Sequence, residues 1–178
     1  MKNTNALTFF SPLQKNLDWD FIYQSTLPNL YNYFLYRTGN EKIAEDLSSI
    51  TVERAWSNKL GYRSDLASVQ SWVFGIARNV FREYLREHRR YTSKLVPLET
   101  EDSQTDLFDR DKFEAKILLK RLIAMLPEKE QELVALKYGA GLNNREIAKL
   151  LHLSESNVGT RLFRTVESLR KKLEVDNE

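Results

Sequence analysis

The sequence predicts an all-α protein: two small helical units joined by an acidic linker. Three observations carry this. Apolar residues recur at i, i+3, i+4 spacing through most of the 178 residues, while the strict alternation of a half-buried strand is rare. Gly39, Gly61, Gly139 and Gly141 fall where the periodic runs end, as helix breakers do. Between two periodic halves, "SKLVPLETEDSQTDLFDRD" (93–111) is polar and acidic and contains Pro97, the composition of a flexible tether or a surface loop.

The elements follow in order. An extension of residues 1–17 precedes a first unit at 18–92. Its first helix is expected from Asp18 to Arg37, kinked or split at Pro28 and stopped by Gly39. A second helix runs from Glu41 to Ser57. "NKLGYRSDLA", Asn58 to Ala67, reads as a loop broken at Gly61. Ser68 is placed to N-cap a third helix ending near Arg90. After the linker, the second unit (112–174) opens with "KFEAKILLKRLIAML". Pro127 starts the next helix as its first residue, and Gly139 and Gly141 close it. Asn143 with Glu146 three residues on forms a capping-box start. Asn144 to Leu151, a turn at His152 to Ser154, and Glu155 to about Leu173 then form helix, turn, helix, with Ser154 as the last N-cap.

Composition excludes several classes of function. There is no cysteine, so disulfide and thiolate chemistry are ruled out and a cytoplasmic home fits. No apolar run is long enough to span a bilayer, and the N-terminus lacks a secretory core. His88 and His152 are the only histidines; neither has carboxylates at ligand spacing, so no metal is expected. His88 reads as a solvated residue and His152 as a turn residue. No phosphate loop or nucleophile elbow is present, so neither a cofactor nor a small-molecule substrate is implied. The net charge of +2 is modest, so any polyanion binding must come from the distribution of charge.

Two stretches distribute it unevenly. In "SWVFGIARNVFREYLREHRR" (71–90), Val69, Trp72, Val73, Ile76 and Val80 share one helix face. Arg78, Arg82, Arg86 and Arg89 share a face roughly opposite, partly relieved by Glu83 and Glu87. A polyanion across that row neutralises it; a solvated basic helix end is the plainer alternative. In the helix-turn-helix, Ile147, Ala148 and Leu151 face Val158, Leu162, Val166, Leu169 and Leu173, with Leu153 plugging the turn. Ser156, Asn157, Thr160, Arg161 and Arg164 are left outward at the leading end of the second helix, the part that enters a major groove.

"EDLSSITVERAW", the 71–90 stretch, and "LPEKEQELVALKYGAGLNNREIAKLLHLSESNVGTRLFRTVESLRKKL", in that order, resemble the extracytoplasmic-function group of bacterial sigma factors from about Asp18 to Leu173. The resemblance implies a region 2 and a region 4 domain, binding to core RNA polymerase, and promoter recognition. It implies that Asp46, Ser49, Ile50 and Glu53 face the polymerase clamp; Ser49 and Ile50 depart from the family's polar and acidic pattern. It implies that Tyr62, Arg63 and Ser64 lie in the loop that captures a base flipped from the minus-ten element. Trp72, Arg78, Asn79, Arg82 and Arg86 lie on the helix that reads that element. Thr160, Arg161, Phe163 and Arg164, beside Ser156 and Asn157, match positions that read the minus-thirty-five element; Gly159 stands where the family has Lys or Arg. The acidic linker resembles the segment that threads toward the polymerase active centre. An anti-sigma protein is a further implied partner, with Phe9 and Phe10 of the extension as possible contacts. The expected function is therefore a non-enzymatic sigma factor. A one-component helix-turn-helix regulator would need no arginine row, and a nucleic-acid enzyme would need chemistry that is not visible here. The sequence leaves open whether the two units fold against each other.

Overall fold

The computed structural model describes residues 18–92 and 110–175. The extension with Phe9 and Phe10, and the linker up to residue 109, lie outside the described residues. All regular structure among the described residues is helical: α1 (Trp19–Thr38), α2 (Glu41–Ser57), α3 (Val69–Thr92), α4 (Arg110–Ala124), α5 (Glu128–Val134), α6 (Asn144–Leu151) and α7 (Glu155–Val175). A 3-10 turn, Lys59–Gly61, lies within the loop after α2, and α5 continues as a π-helical turn, Ala135–Gly139. None of these helices is long and apolar enough to cross a membrane.

Local chemistry sets most ends. Asn40 caps α2 by accepting from the Ile43 N–H at 3.0 Å. Ser68 caps α3 by accepting from Ser71 N–H at 3.2 Å. Asn143 and Glu146 form the reciprocal capping box of α6, at 2.9 and 3.0 Å. Gly39 and Gly141 adopt positive φ, 66° and 70°, where glycine meets no Cβ penalty. Two expectations are corrected. Pro28 does not split α1, which is one helix through that position. The apolar residues on both sides of it, Ile22 before and Leu30, Tyr33 and Phe34 after, are all buried, and that burial outweighs the roughly 3 kcal/mol a mid-helix proline costs. Pro127 takes the N-cap position of α5, with extended ψ of 145°, rather than the first helical one.

One core joins the two halves of the sequence. Leu30, Tyr33 and Phe34 of α1 and Phe74 of α3 are buried in the same cluster as Leu133, Leu136, Ala140 and Leu142. Each of these leucines and phenylalanines contributes about 1.5–3 kcal/mol by leaving water. A smaller cluster, Leu122, Ile123, Val134 and Leu169, holds α4, α5 and α7 together. At the junction, a Cβ on Gly139 would lie 2.8 Å from Tyr33 Cα and 2.9 Å from Tyr33 N, so only glycine lets the π-helical turn approach α1 this closely. Arg37 is buried there too, its guanidinium 4.3 Å from the Phe81 ring and its Nη1 donating to the Glu128 carbonyl at 3.0 Å.

The Tyr33 hydroxyl is buried beside these groups with no hydrogen-bond partner, and burial raises its phenol pKa against the pull of Arg37. Tyr33→Phe removes a desolvated hydroxyl and keeps the ring. It is expected to stabilise the chain by about 1 kcal/mol, seen as a higher urea midpoint at unchanged slope.

Candidate nucleic-acid interface

α3 buries a broader face than its apolar spacing alone predicts. Val73, Phe74, Ala77, Val80 and Phe81 are all buried, while Val69, Trp72 and Ile76 pack at the edge of the core. Asn79, Arg82, Arg86 and Arg89 stand in solvent on the other side. Arg78 does not join them. Its side chain is only 12% exposed, its Nε donates to Glu132 Oε1 at 2.7 Å, and its Nη1 donates to the Leu150 carbonyl at 2.6 Å. The expected row is interrupted because Arg78 lies at the edge of the buried stripe, where α5 and α6 supply acceptors. Glu83, expected to relieve the row, instead pairs with Arg54 of α2 at 2.7 Å. Arg89 approaches Glu128 at 3.7 Å.

The loop before α3 is built on aromatics. Tyr62 packs its ring 5.3 Å from that of Trp72 and donates its hydroxyl to the Ala67 carbonyl at 3.1 Å. Trp72 in turn meets Trp19 at 6.5 Å. Tyr62 and Trp72 thus form the base of the loop, and Arg63 and Ser64 form its exposed crest. Arg63 forks onto Asp65, at 3.2 and 2.7 Å, and these hydrogen bonds hold the Asp65 carboxyl below the usual carboxylate range. Sequence reasoning missed a neighbouring pair. Trp56 is half exposed, with the Lys59 ammonium 3.5 Å over its ring and Trp19 against its edge at 5.3 Å. The three-residue spacing of an aromatic at the end of α2 and a cation at the start of the loop was the available signal.

Asp46, Ser49, Ile50 and Glu53 all lie on the exposed side of α2. Ile50 and Asp46, with Arg54, Glu83 and Glu87, line a shallow groove of about 280 Å³ between α2 and α3. An apolar floor with carboxylates at its rim suits a basic partner carrying an apolar side chain.

In the helix-turn-helix, Ile147, Ala148, Val158, Leu162 and Leu169 are buried, and Leu153 packs beneath the turn. His152 takes the left-handed conformation, φ 56°, that ends α6. Ser154 caps α7 by accepting from Asn157 N–H at 3.2 Å. Ser156, Asn157, Thr160, Phe163 and Arg164 are exposed along the leading turns of α7, Phe163 by 68%. Arg161 is partly withdrawn: it is 28% exposed, and its Nη2 lies 2.7 Å from Glu130 Oε1. Gly159 points toward α6, where an added Cβ would meet Asn144 Nδ2 at 3.5 Å, an ordinary contact.

Comparison with known proteins accounts for this arrangement. The Sigma-70 region 2 family model matches residues 22–91, and the Sigma-70, region 4 model matches residues 116–169. The ECF RNA polymerase sigma factor SigM of Bacillus subtilis is 30% identical over 157 residues, covering 85% of this chain and 92% of SigM. The chain belongs to the extracytoplasmic-function sigma factors. SigL of Mycobacterium tuberculosis, another such sigma factor, is 27% identical over 86% of this chain and 87% of its own. The fold is that of solved sigma factors. RpoE, crystallised with the anti-sigma factor NepR from Bartonella quintana, superposes with a TM-score of 0.69 at 21% identity, over 89% of this chain and 98% of RpoE. CnrH, solved with the cytosolic domain of CnrY, gives 0.58 at 19% identity, over 88% and 87%. In this sigma factor, α1 to α3 make up the region 2 match and α4 to α7 the region 4 match, so the shared core is a contact between the two regions.

Proposed function

We propose that this sigma factor joins core RNA polymerase to two promoter elements through three separate surfaces. The α2 face with Asp46, Ser49, Ile50 and Glu53 docks on polymerase. The loop crest at Arg63 and Ser64, above Tyr62 and Trp72, with Asn79, Arg82 and Arg86 of α3, engages the minus-ten element; Arg78 joins them only once it leaves Glu132. The leading end of α7, with Ser156, Asn157, Thr160, Arg161, Phe163 and Arg164, reads the minus-thirty-five element. The observation that carries this is the exposure of polar and cationic side chains on both α3 and the second helix of a capped helix-turn-helix, within one chain whose two family matches fall in the sigma order. Two modest contacts on one polymerase complex suffice, because the second is intramolecular.

The chain acts without catalysis of its own, in the cytoplasm beside its polymerase. An anti-sigma protein is a further partner, by analogy with the complexes in which RpoE and CnrH were solved. Run-off transcription with purified core polymerase tests the central reading: promoter-specific transcripts are expected on adding the chain. Specific duplex binding without any initiation would favour the one-component regulator instead. Within this reading, Arg86→Ala is expected to make the log–log salt dependence of promoter binding shallower by roughly one ion. An unchanged slope would put Arg86 outside the DNA path.

A further inference from the structure

Arg161 and Arg164 lie about one helical turn apart on α7, and the fold treats them differently. Arg164 is exposed. Arg161 keeps 28% of its side chain in water and sets its Nη2 2.7 Å from Glu130 Oε1, on a side chain that is itself only 28% exposed. Glu130 comes from a fixed place. It lies in the first turn of α5, its N–H donating to the Pro127 carbonyl at 2.9 Å, and α5 is anchored by the buried Leu133 and Val134. A hollow of about 390 Å³ opens beside the pair, between α7 and the turn before α5, so neighbouring side chains leave the guanidinium room to swing. What fixes it is the carboxylate. An arginine at the leading end of a recognition helix has two kinds of acceptor within reach: phosphates, which are alike at every sequence, and base edges, which are not. A loose guanidinium takes either.

We propose that Glu130 is a positioning residue that turns Arg161 from a general phosphate contact into a reader of one base pair of the minus-thirty-five element. The inference rests on the reading of α7 given above. The contact with Glu130 occupies one side of Nη2 and leaves parallel donors of the same fork for the O6 and N7 of guanine. The side chain is ordered before DNA arrives, so less rotamer entropy is lost on binding. The carboxylate also opposes a phosphate brought to the same spot, because like charges set against each other are costly. Glu130 thus lowers affinity for arbitrary duplex and raises discrimination. Arg164 is exposed on its own, and its contacts do not depend on Glu130.

The test uses the full chain assembled with core polymerase and a panel of duplexes carrying single-base changes across the minus-thirty-five element. Glu130→Ala is expected to lose about fivefold or more of the preference at the one base pair where Arg161→Ala also loses it. Its affinity for duplex with a scrambled element should rise about twofold, with a log–log salt slope steeper by roughly one ion, as the released guanidinium turns to phosphate. Glu130→Gln, nearly isosteric but a weaker, neutral acceptor, should lose preference at the same base pair and by less. In an Arg161→Ala background, Glu130→Ala should change that preference by less than about twofold, because no guanidinium is left to aim. A pair that served stability alone would lower the urea midpoint of Glu130→Ala and leave the preference within about twofold of wild type, and that result would overturn the proposal. So would a sharper preference in Glu130→Ala, which would make Glu130 a restraint on Arg161, or an equal loss at every base pair. Wild-type holoenzyme with no preference for the element would strike the reading of α7 itself, on which the proposal stands.

Discussion

Gly139→Ala is expected to destabilise the chain by about 1–3 kcal/mol, the range for forcing extra volume into a packed site. The added methyl would stand 2.8 Å from Tyr33 Cα, 2.9 Å from Tyr33 N and 3.1 Å from the Asn32 carbonyl carbon. All three are backbone atoms inside α1, so no side chain can rotate away. Relief requires the π-helical turn to move off α1, which loosens the packing of Leu136 and Ala140 around Tyr33. Urea unfolding followed by circular dichroism should show the lower midpoint. Gly159→Ala provides the contrast. That glycine lies in the second turn of α7, its nearest neighbour at 3.5 Å is a flexible amide, and the gain in helix propensity is about 1 kcal/mol. Opposite signs for the two substitutions are expected. A neutral Gly139→Ala would mean that region 4 does not press on α1 as described.

Arg161→Ala is expected to cost about 1–3 kcal/mol of discrimination at one position of the minus-thirty-five element, the value of a bidentate guanine contact. Arg161 lies one turn into the exposed leading end of α7, and its pairing with Glu130 at 2.7 Å holds the guanidinium beside the helix rather than loose in solvent. The pair is only partly buried, so its own contribution to stability is small. The substitution should therefore leave the fold intact and act on recognition. Binding measured against a panel of single-base variants decides the matter. An equal loss on every sequence would limit Arg161 to phosphate contact.

Much of this molecule is legible in its sequence because helices announce themselves locally. The spacing of Val158, Leu162 and Leu169, the Asn143–Glu146 box, Ser68 and Ser154 as caps, and the glycine stops are patterns within a few residues of one another, and the folded chain bears them out. The family, too, follows from three short motifs in order. The exposed polar end of α7 was visible for the same reason: it is what remains when the apolar stripe is subtracted.

What the sequence by itself determined, then, is a set of helices, their apolar stripes and the family they compose. Tertiary structure alone decided which charged residues are free. Arg78 and Arg82 are one helical turn apart and look alike in the sequence, yet Arg78 is held by Glu132, 54 residues away, while Arg82 is exposed. Arg161 meets Glu130 across 31 residues, and Gly139 is required by the backbone of Tyr33. The physical reason is that periodicity records how apolar a helix face is, whereas the identity of what covers that face depends on contacts between segments that no local pattern encodes.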